Sequence, residues 1–401
     1  MRFHALYLAI VTVLLSTPAT AQWMRTDRPL GLEVTCFASS GTYFFAGAAG
    51  GGVYLSSDGG TSWTAVVSGL TNRDALCLAV SGTNLFAGTF NGVYLSADSG
   101  ASWKSVSVGL PNKPIQALAG SGTNLFAGTT GGVYVTADSG KNWTWVDEGM
   151  TNLDVTSFAV SGTNLFAGTW SGGVFLTTNS GAKWTTVISG LTNHDVISLA
   201  VAGERLYAGT SGGVFLSVNE GTNWNAATSG LGITEVRALS IAGSNLFAGT
   251  YDRGVFYSTN NGTNWKAAGL EDTTISSLAV VGTVLFAGAG NGHVYRKPLS
   301  EIITSSERNL LELPETFSLF QNYPNPFNPN TVIKFEIPRR SQVTLRVFDI
   351  LGRLIAILVN DRRDEGVYNV AFDGTNLSGG VYFYRLEAGG FVATKRLLLV
   401  K

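Results

Sequence analysis

The sequence predicts an all-β protein in which a seven-bladed β-propeller of four-stranded blades precedes a small immunoglobulin-like β-sandwich. Three observations predict this fold. A unit of about 40 residues recurs through most of the chain, as it does in propellers. Fifty glycines occur among 401 residues without a collagen-like period, which indicates many tight turns between short strands. A second pattern of alternating strands replaces the repeat near the C-terminus.

The start of the chain has the three parts of a secretory signal peptide, in order. Met1-Arg2 opens a short positive region, Ala5 to Leu15 is apolar, and Ala19-Thr20-Ala21 supplies the small-residue cleavage pattern. The apolar run is too short to span a bilayer stably. We therefore expect residues 1–21 to be removed after export by the Sec machinery. The mature chain then starts at Gln22 and has no transmembrane span.

The repeat consists of an L-F-A-G segment, a turn, a G-V-Y-L-S strand and a D-x-G-x-x-W turn. Each unit reads as four short strands separated by turn residues, which is the size of a propeller blade. The glycine of the first segment occurs seven times, at Gly47, Gly88, Gly128, Gly168, Gly209, Gly249 and Gly288. The tryptophan occurs six times, 40 or 41 residues apart, at Trp63, Trp103, Trp143, Trp184, Trp224 and Trp265.

Six tryptophans and seven glycines imply different blade counts, and Trp23 resolves the difference. It lies 40 residues before Trp63, in register with the repeat, but no blade precedes it. The last unit has three strands and then loses the repeat after Pro298. We therefore predict seven blades in residues 22–298, with the strand that begins at Trp23 completing the last one. An open ring would leave two unpaired sheet edges.

The innermost strands have small side chains at their second, fourth and sixth places, as in Val34, Cys36 and Ala38, with larger residues such as Phe37 between them. Because strand side chains alternate between faces, we predict that each blade has one small face and one bulky face. Cys36 and Cys77 fill equivalent places in adjacent blades. We expect two buried free thiols, with a disulfide between the blades as the alternative.

Six turns share the pattern S/T-x-D/N-x-G-x-x-W, and we call them the box turns. They resemble the Asp-box, or bacterial neuraminidase repeat, found in sialidases, some endoglucanases, sortilin-type receptors and photosystem assembly factors. The hydroxyl and the carboxylate or amide are suited to bond the turn backbone, the glycine allows a positive φ, and the tryptophan anchors the hairpin. Because three turns have uncharged Asn, we expect a structural role without catalysis or metal binding. The acid or amide positions are Asp58, Asp98, Asp138, Asn179, Asn219 and Asn260.

The same resemblance makes an enzyme the main alternative, since sialidases of this fold use three arginines, a Tyr–Glu pair and an Asp acid. Arg73, Arg237 and Arg253 lie near one end of the predicted ring, but no Tyr–Glu pair accompanies them. The blades are minimal and lack the long insertions in which catalytic loops lie. We therefore predict no catalytic residue, no cofactor and no metal site.

One end of the predicted ring is acidic, because five of the seven blades have an acid immediately before the innermost strand. These are Glu33, Asp74, Asp154, Asp195 and Glu235, and the loop aromatics at the same end are Phe90, Trp170 and Tyr251. In a propeller they surround one mouth of the central channel and are suited to hold a cation, a basic peptide or a sugar. The simpler alternative is that Asp in T-N-x-D only shapes the turn into the strand.

After a linker-like stretch at residues 299–316, the sequence changes to alternating strands. They are predicted at Thr331–Pro338, Val343–Phe348, Val367–Phe372, Gly380–Leu386 and Val392–Val400. Within residues 317–401, the segments Y-P-N-P-F-N-P, V-F-D-I-L-G-R and D-G-T-N-L-S-G-G-V-Y-F-Y-R-L resemble the type A C-terminal sorting domain of the type IX secretion system, the Por secretion tail. The resemblance implies a Bacteroidota-like Gram-negative source and passage through an outer-membrane translocon. Removal of the tail and release or surface attachment then follow. An accessory carbohydrate-binding sandwich is the alternative.

Together these observations predict an exported, non-enzymatic propeller that binds a protein or glycan at the cell surface or in the medium. With 13% charged residues and a net charge of −1, the composition does not indicate a nucleic-acid partner. The alternatives are a glycoside hydrolase or sialidase-like enzyme and a structural component of the surface layer.

Overall fold

The computed structural model describes residues 22–26, 30–303, 316–363 and 366–400. The predicted signal peptide, residues 1–21, lies outside these ranges. The chain divides into two compact units, residues 1–304 and residues 305–401.

Seven four-stranded antiparallel sheets make up the first unit, and the first strands of neighbouring sheets contact one another around a closed ring. We number these sheets as blades. From the innermost strand outwards, blade 1 consists of Glu33–Ser40, Tyr43–Ala49, Gly52–Ser56 and Thr64–Ala65. Blade 2 consists of Ala75–Ser81, Asn84–Thr89, Gly92–Ser96 and Lys104–Ser105. Blade 3 consists of Ile115–Ser121, Asn124–Thr129, Gly132–Thr136 and Thr144–Trp145. Blade 4 consists of Val155–Ser161, Asn164–Thr169, Gly173–Thr177 and Thr185–Thr186. Blade 5 consists of Val196–Ala202, Arg205–Thr210, Gly213–Ser217 and Asn225–Ala226. Blade 6 consists of Val236–Ala242, Asn245–Thr250, Val255–Ser258 and Lys266–Gly269. The predicted all-β propeller with seven four-stranded blades is therefore confirmed.

Blade 7 is completed by the N-terminal strand, as predicted. Its strands are Ile275–Val281, Val284–Ala289, Val294–Pro298 and, outermost, Met24–Arg25. Met24 pairs with Arg296. The indole Nε1 of Trp23 donates to the carbonyl of Ala268 in blade 6 at 2.9 Å. Trp103 makes the same bond to the preceding blade, at Val66, at 2.8 Å. The strand Met24–Arg25 thus completes the ring, and Trp23 beside it makes the same kind of bond to the preceding blade as Trp103 does.

A short helix, Leu299–Ile302, follows blade 7. Ile302 and Ile303 are buried with Phe247 of blade 6 and Leu285 of blade 7. At the start of the predicted linker, Ile302 and Ile303 therefore pack on the propeller. Their aliphatic side chains would otherwise be exposed to water.

The glycine of the L-F-A-G segment lies where neighbouring blades approach closely. A Cβ atom on Gly128 would lie 2.5 Å from Cγ1 of Val155 in the next blade, and one on Gly288 would lie 2.6 Å from Cγ1 of Val34 in blade 1. Both distances are far below van der Waals contact. The repeat keeps glycine here because any side chain would push the blades apart.

Each innermost strand has a β-bulge near its start. In blade 1, Val34 and Cys36 pair with the adjacent residues Ala48 and Gly47, which leaves Thr35 as an extra residue. The same shift occurs in the other six blades. We call the seven extra residues the bulge residues; they are Thr35, Leu76, Gln116, Thr156, Ile197, Arg237 and Ser276. A bulge bends its strand and redirects the side chain that it carries.

The bulges correct the prediction that each innermost strand has one small face. Val34 packs against Phe286 and Val294 of blade 7. Cys36 instead packs towards Ala75 of blade 2. Residues two apart therefore face opposite neighbours, because the extra residue between them inverts the alternation.

Both cysteines are free thiols, as predicted. Cys77 is buried and its Sγ donates to the carbonyl of Ile115 at 3.3 Å. Cys36 is half-buried, and burial raises the pKa of its thiol to about 12. These cysteines serve as small packing groups between blades.

The second unit packs a three-stranded sheet against a four-stranded one, which confirms the predicted sandwich. The strands of the three-stranded sheet are, in spatial order, Ser318–Leu319, Asn330–Ile337 and Gly366–Asp373. Those of the four-stranded sheet are Leu354–Arg363, Ser341–Asp349, Gly380–Ala388 and Phe391–Leu399. Phe335, Leu345 and Tyr384 are fully buried in its core. Strand Leu354–Arg363 was not predicted, because it is an edge strand whose residues are mostly exposed and do not alternate clearly in polarity.

Candidate functional site

The box turns and the acidic end lie at opposite ends of the ring. In every blade the innermost strand starts at one end, and the antiparallel strands place the connection from the second to the third strand at that same end. The box turn connects the third strand to the outermost one, at the other end. The two sequence signals for function therefore belong to different surfaces.

The box turns share one set of hydrogen bonds to Oδ1, whether they contain Asp or Asn. Oδ1 of Asp58 accepts from the hydroxyl of Ser56 at 2.8 Å and from the backbone N–H of Ser62 at 2.9 Å. Oδ1 of Asn179 accepts from the hydroxyl of Thr177 at 2.8 Å and from the backbone N–H four residues later at 3.0 Å. An amide thus reproduces the bonds of Oδ1, whereas Oδ2 of Asp58 accepts a further bond from the hydroxyl of Ser62 at 2.7 Å.

Hydrogen bonds stabilise the charged form of the three box carboxylates. The backbone N–H of Ser62 contributes most to holding the pKa of Asp58 at about 2. The pKa values of Asp98 and Asp138 are also about 2, chiefly because of the side-chain hydroxyls of Ser102 and Thr136. Acceptor-only groups with such low pKa values do not transfer protons near neutral pH.

At the acidic end, two aspartates bond to neighbouring loops. Asp74 accepts from the backbone N–H of Gly50 at 2.8 Å, and Asp195 accepts from the hydroxyl of Ser171 at 2.9 Å. In both cases the donor belongs to the preceding blade. In the T-N-x-D turn, the backbone N–H of Asp74 also donates to Oδ1 of Asn72 at 3.0 Å. This geometry fits the alternative that T-N-x-D aspartates shape the turn.

A cavity of about 400 Å³ opens at this end, and its lining includes the bulge residue of every blade. The remaining lining residues are Glu33, Trp170 and Glu235. Of the eight residues that the sequence predicted at the channel mouth, these three line the cavity. The other five, Asp74, Asp154, Asp195, Phe90 and Tyr251, are not part of its described lining.

Arg237 is the basic residue in the described lining of this cavity, and it is bound by two of the acidic residues predicted from the sequence. Its Nε donates to Glu235 at 2.8 Å, and its Nη1 donates to Glu33 at 3.5 Å. Its guanidinium also packs over the ring of Tyr251, 4.7 Å from the centroid. Glu33 accepts a further hydrogen bond from the hydroxyl of Ser276. Residues of blades 6, 7 and 1 therefore form one network across the point of ring closure.

Sequence reasoning named Arg237 only as a possible sialidase arginine and did not find the other six bulge residues. The position is occupied by six different residue types in seven blades, with only Thr occurring twice, so the repeat shows no consensus residue there. The one feature of the sequence that could have located the bulge residues is their position, immediately after the first small residue of each innermost strand. Only the pairing register shows that this residue is extra and lines the channel.

Among the described residues, no helix is long and apolar enough to cross a membrane. The same part of the chain has no group of three or more His, Cys, Asp or Glu side chains placed to hold a metal ion.

Two family comparisons cover most of the chain. Residues 34–173 and 155–278 match the DUF6242 beta propeller domain. Residues 321–401 match the secretion system C-terminal sorting domain. No curated protein sequence matches the chain.

Solved structures with the same fold have little sequence identity to this chain. YCF48 bound to D1 peptide is 14% identical with a TM-score of 0.58, over 69% of this chain and 96% of that one. The extracellular domain of a putative hybrid two-component system from B. thetaiotaomicron is 11% identical with a TM-score of 0.59, over 95% of this chain and 60% of that one. A GH74 enzyme from Niastella koreensis is 14% identical with a TM-score of 0.57, over 94% and 74% of the two chains. These likenesses concern the fold.

The sorting domain directs export by the type IX secretion system, to the cell surface or out of the cell. The propeller match spans well over half of the sequence. The chain therefore belongs to the DUF6242 β-propeller domain family, and a type IX sorting domain follows its propeller.

Proposed function

We propose that this exported propeller is a non-enzymatic binding module that takes a protein or glycan ligand at the channel mouth. The cavity of about 400 Å³ to which all seven blades contribute carries the proposal. Its volume falls within the range of roughly 300–1,000 Å³ that is usual for ligand pockets. Trp170, 44% exposed, offers an aromatic surface beside charged and hydroxyl groups.

A peptide or a sugar fits this chemistry better than a reaction does. Glu33 and Glu235 both accept hydrogen bonds from Arg237, so neither is free to protonate a leaving group as a glycosidase acid must. YCF48, a propeller of similar fold, is described with a bound peptide. The likeness to a GH74 enzyme keeps glycoside hydrolysis as the alternative.

The box turns belong to the scaffold in this proposal. The Asp and Asn versions make the same hydrogen bonds through Oδ1, and they lie at the end of the ring opposite the cavity. In this proposal the box turns resemble the Asp-box because they form the same kind of turn, not because they share a binding or catalytic role. The residues before Gln22 serve as the signal for the Sec machinery, and the tail is removed after translocation.

Binding of the mature chain to peptide and glycan arrays tests the proposal. We expect at least one class of ligand whose affinity falls tenfold or more in Trp170→Ala, because the variant removes the aromatic surface of the cavity. Trp145→Ala is the matched control, since Trp145 is 61% exposed on the outermost strand of blade 3. Unchanged affinity of Trp170→Ala for every ligand found would contradict the proposal. Turnover of sialosides or glucans by the same protein would establish the enzyme alternative.

A further inference from the structure

The lining of the channel cavity divides into two arcs of different chemistry. One arc, from blades 6, 7 and 1, contains Glu235, Arg237, Ser276 and Glu33. The other arc, from blades 2 to 5, contains Leu76, Ile197 and Trp170 together with Gln116 and Thr156. A ligand that fills the cavity therefore meets charge on one side and apolar surface on the other.

Two polar side chains of the second arc, Thr156 and Gln116, already donate hydrogen bonds within the protein. The hydroxyl of Thr156 donates to the carbonyls of Val196 at 2.6 Å and Gly168 at 3.0 Å. The amide of Gln116 donates to Asp154 at 2.7 Å. Because these donors already have partners, the surface that this arc presents for new contacts is mainly that of Leu76, Ile197 and Trp170.

The charged arc favours a cationic group. It has two carboxylates and one guanidinium, and Arg237 is already bound by both carboxylates and by the ring of Tyr251. An anion would have to compete with two bound carboxylates for the same guanidinium. A cation instead meets a network with a net charge of −1, beside a second cavity of about 360 Å³ that shares Glu33 and Arg237 and adds Asp272.

We infer that the ligand is a peptide segment that presents a Lys or Arg side chain next to an apolar side chain. This inference rests on the proposed function and specifies its ligand class. The cationic head lies against Glu33 and Glu235, while the apolar neighbour packs on Leu76, Ile197 and Trp170. The aliphatic stem of a Lys or Arg side chain is also suited to the face of a tryptophan.

Fluorescence anisotropy with labelled, end-capped hexapeptides and the mature chain tests the inference. Four peptides differ only in their central pair: Lys–Leu, Gln–Leu, Glu–Leu and Lys–Ser. We expect Lys–Leu to bind at least tenfold more tightly than the other three, and added salt to reduce the difference from Gln–Leu.

Three variants separate the two arcs. Glu235→Gln should weaken Lys–Leu binding about tenfold and leave Gln–Leu binding unchanged. Ile197→Thr should weaken both, and it keeps the fold because Thr35 and Thr156 occupy the same bulge position in other blades. Glu220→Gln, the same chemical change in a box turn at the other end of the ring, should alter neither affinity.

The inference is overturned if Glu–Leu binds as tightly as Lys–Leu, or if Lys–Leu binds equally to wild type and Glu235→Gln. If no peptide binds while a glycan binds in a Trp170-dependent manner, the inference fails and the proposed function stands. If neither class binds at the cavity, both fail.

Discussion

At the scale of single residues, Tyr207 differs from its six counterparts by one hydroxyl group. The other blades have Phe at this place in the L-F-A-G segment, at Phe45, Phe86, Phe126, Phe166, Phe247 and Phe286. Tyr207 is 1% exposed, and within the described part of the chain its hydroxyl has no hydrogen-bond partner. Burial raises the pKa of this hydroxyl. A buried donor without a partner destabilises the folded state.

Tyr207→Phe should therefore increase the free energy of unfolding by about 1 kcal/mol, because it removes a desolvated polar group and keeps the ring. The reverse change in blade 4, Phe166→Tyr, should decrease it by a similar amount. Urea denaturation of both variants measures the two effects. A loss of stability in Tyr207→Phe would mean that the hydroxyl has a partner.

The box carboxylates contribute stability that depends on pH. Their folded-state pKa of about 2 lies below the ordinary value of 3.8. A carboxyl group with a lowered folded pKa stabilises the protein above its ordinary pKa, and this contribution is lost as the pH falls from about 4 towards 2. Blades 4 to 6 have Asn instead, and their turns have no such dependence.

Replacing all three carboxylates, in Asp58→Asn/Asp98→Asn/Asp138→Asn, should flatten the dependence of propeller stability on pH. We expect a small loss of stability at pH 7, since charged hydrogen bonds become neutral ones. The loss should vanish as the pH approaches 2. Urea denaturation at pH 7, 4 and 2.5 compares the variant with wild type. A parallel decline of both proteins between pH 4 and pH 2.5 would show that these carboxylates do not contribute.

At the scale of elements, the strand pair of each blade is shaped by one glycine and one bulge. The glycine lets the next blade approach, and the bulge turns one side chain into the channel. Blade 3 has a second glycine, Gly120, in its innermost strand, where a Cβ atom would meet nothing within 4 Å. A side chain is therefore excluded by the neighbouring blade at Gly128 but has room at Gly120.

Gly128→Ala should decrease the free energy of unfolding by about 1–3 kcal/mol, because its methyl group would overlap Val155 and Phe158. Gly120→Ala should increase it by about 0.4–1 kcal/mol, because alanine lowers the entropy of the unfolded chain without a clash. Thermal unfolding of the two variants checks both signs. Equal effects would indicate that the blades are not in close contact at Gly128.

At the scale of the whole molecule, export and binding belong to different parts of the chain. The sorting domain has its own buried core, which includes Phe335, Leu345 and Tyr384. Its Y-P-N-P-F-N-P segment and the residue before it are fixed to this core, since Phe327 is buried and the backbone N–H of the preceding Asn322 donates to the hydroxyl of Tyr384 at 2.8 Å. These contacts give the sequence motif of the tail a definite conformation.

Deletion of residues 317–401 should abolish surface display and leave the propeller in the periplasm, because the type IX system reads this domain. Cell fractionation and surface labelling measure the outcome. The retained protein should still show the thermal transition of the propeller, whose ring is closed by Met24–Arg25 without the tail. Normal surface display of the truncated chain would refute the assignment.

The sequence by itself determined the blade count, the closure of the ring by the N-terminal strand and the sorting domain. Each follows from a local sequence pattern: the blade count from the repeat of about 40 residues, the ring closure from the register of Trp23, and the sorting domain from contiguous motifs. It also placed Glu33, Glu235 and Trp170 at the correct end of the ring. Hydrophobic alternation predicted one small and one bulky face for each innermost strand, and this prediction was wrong because a bulge interrupts the alternation.

Only the tertiary structure decided which residues line the channel. A bulge is a mismatch between two paired strands, so Thr35 or Ile197 is recognised as an extra residue only when its partner strand is known. The network of Arg237 with Glu33 joins residues 204 positions apart, and ring closure alone brings them together. Local sequence fixes the blades because they repeat, whereas the binding surface lies where they differ and meet.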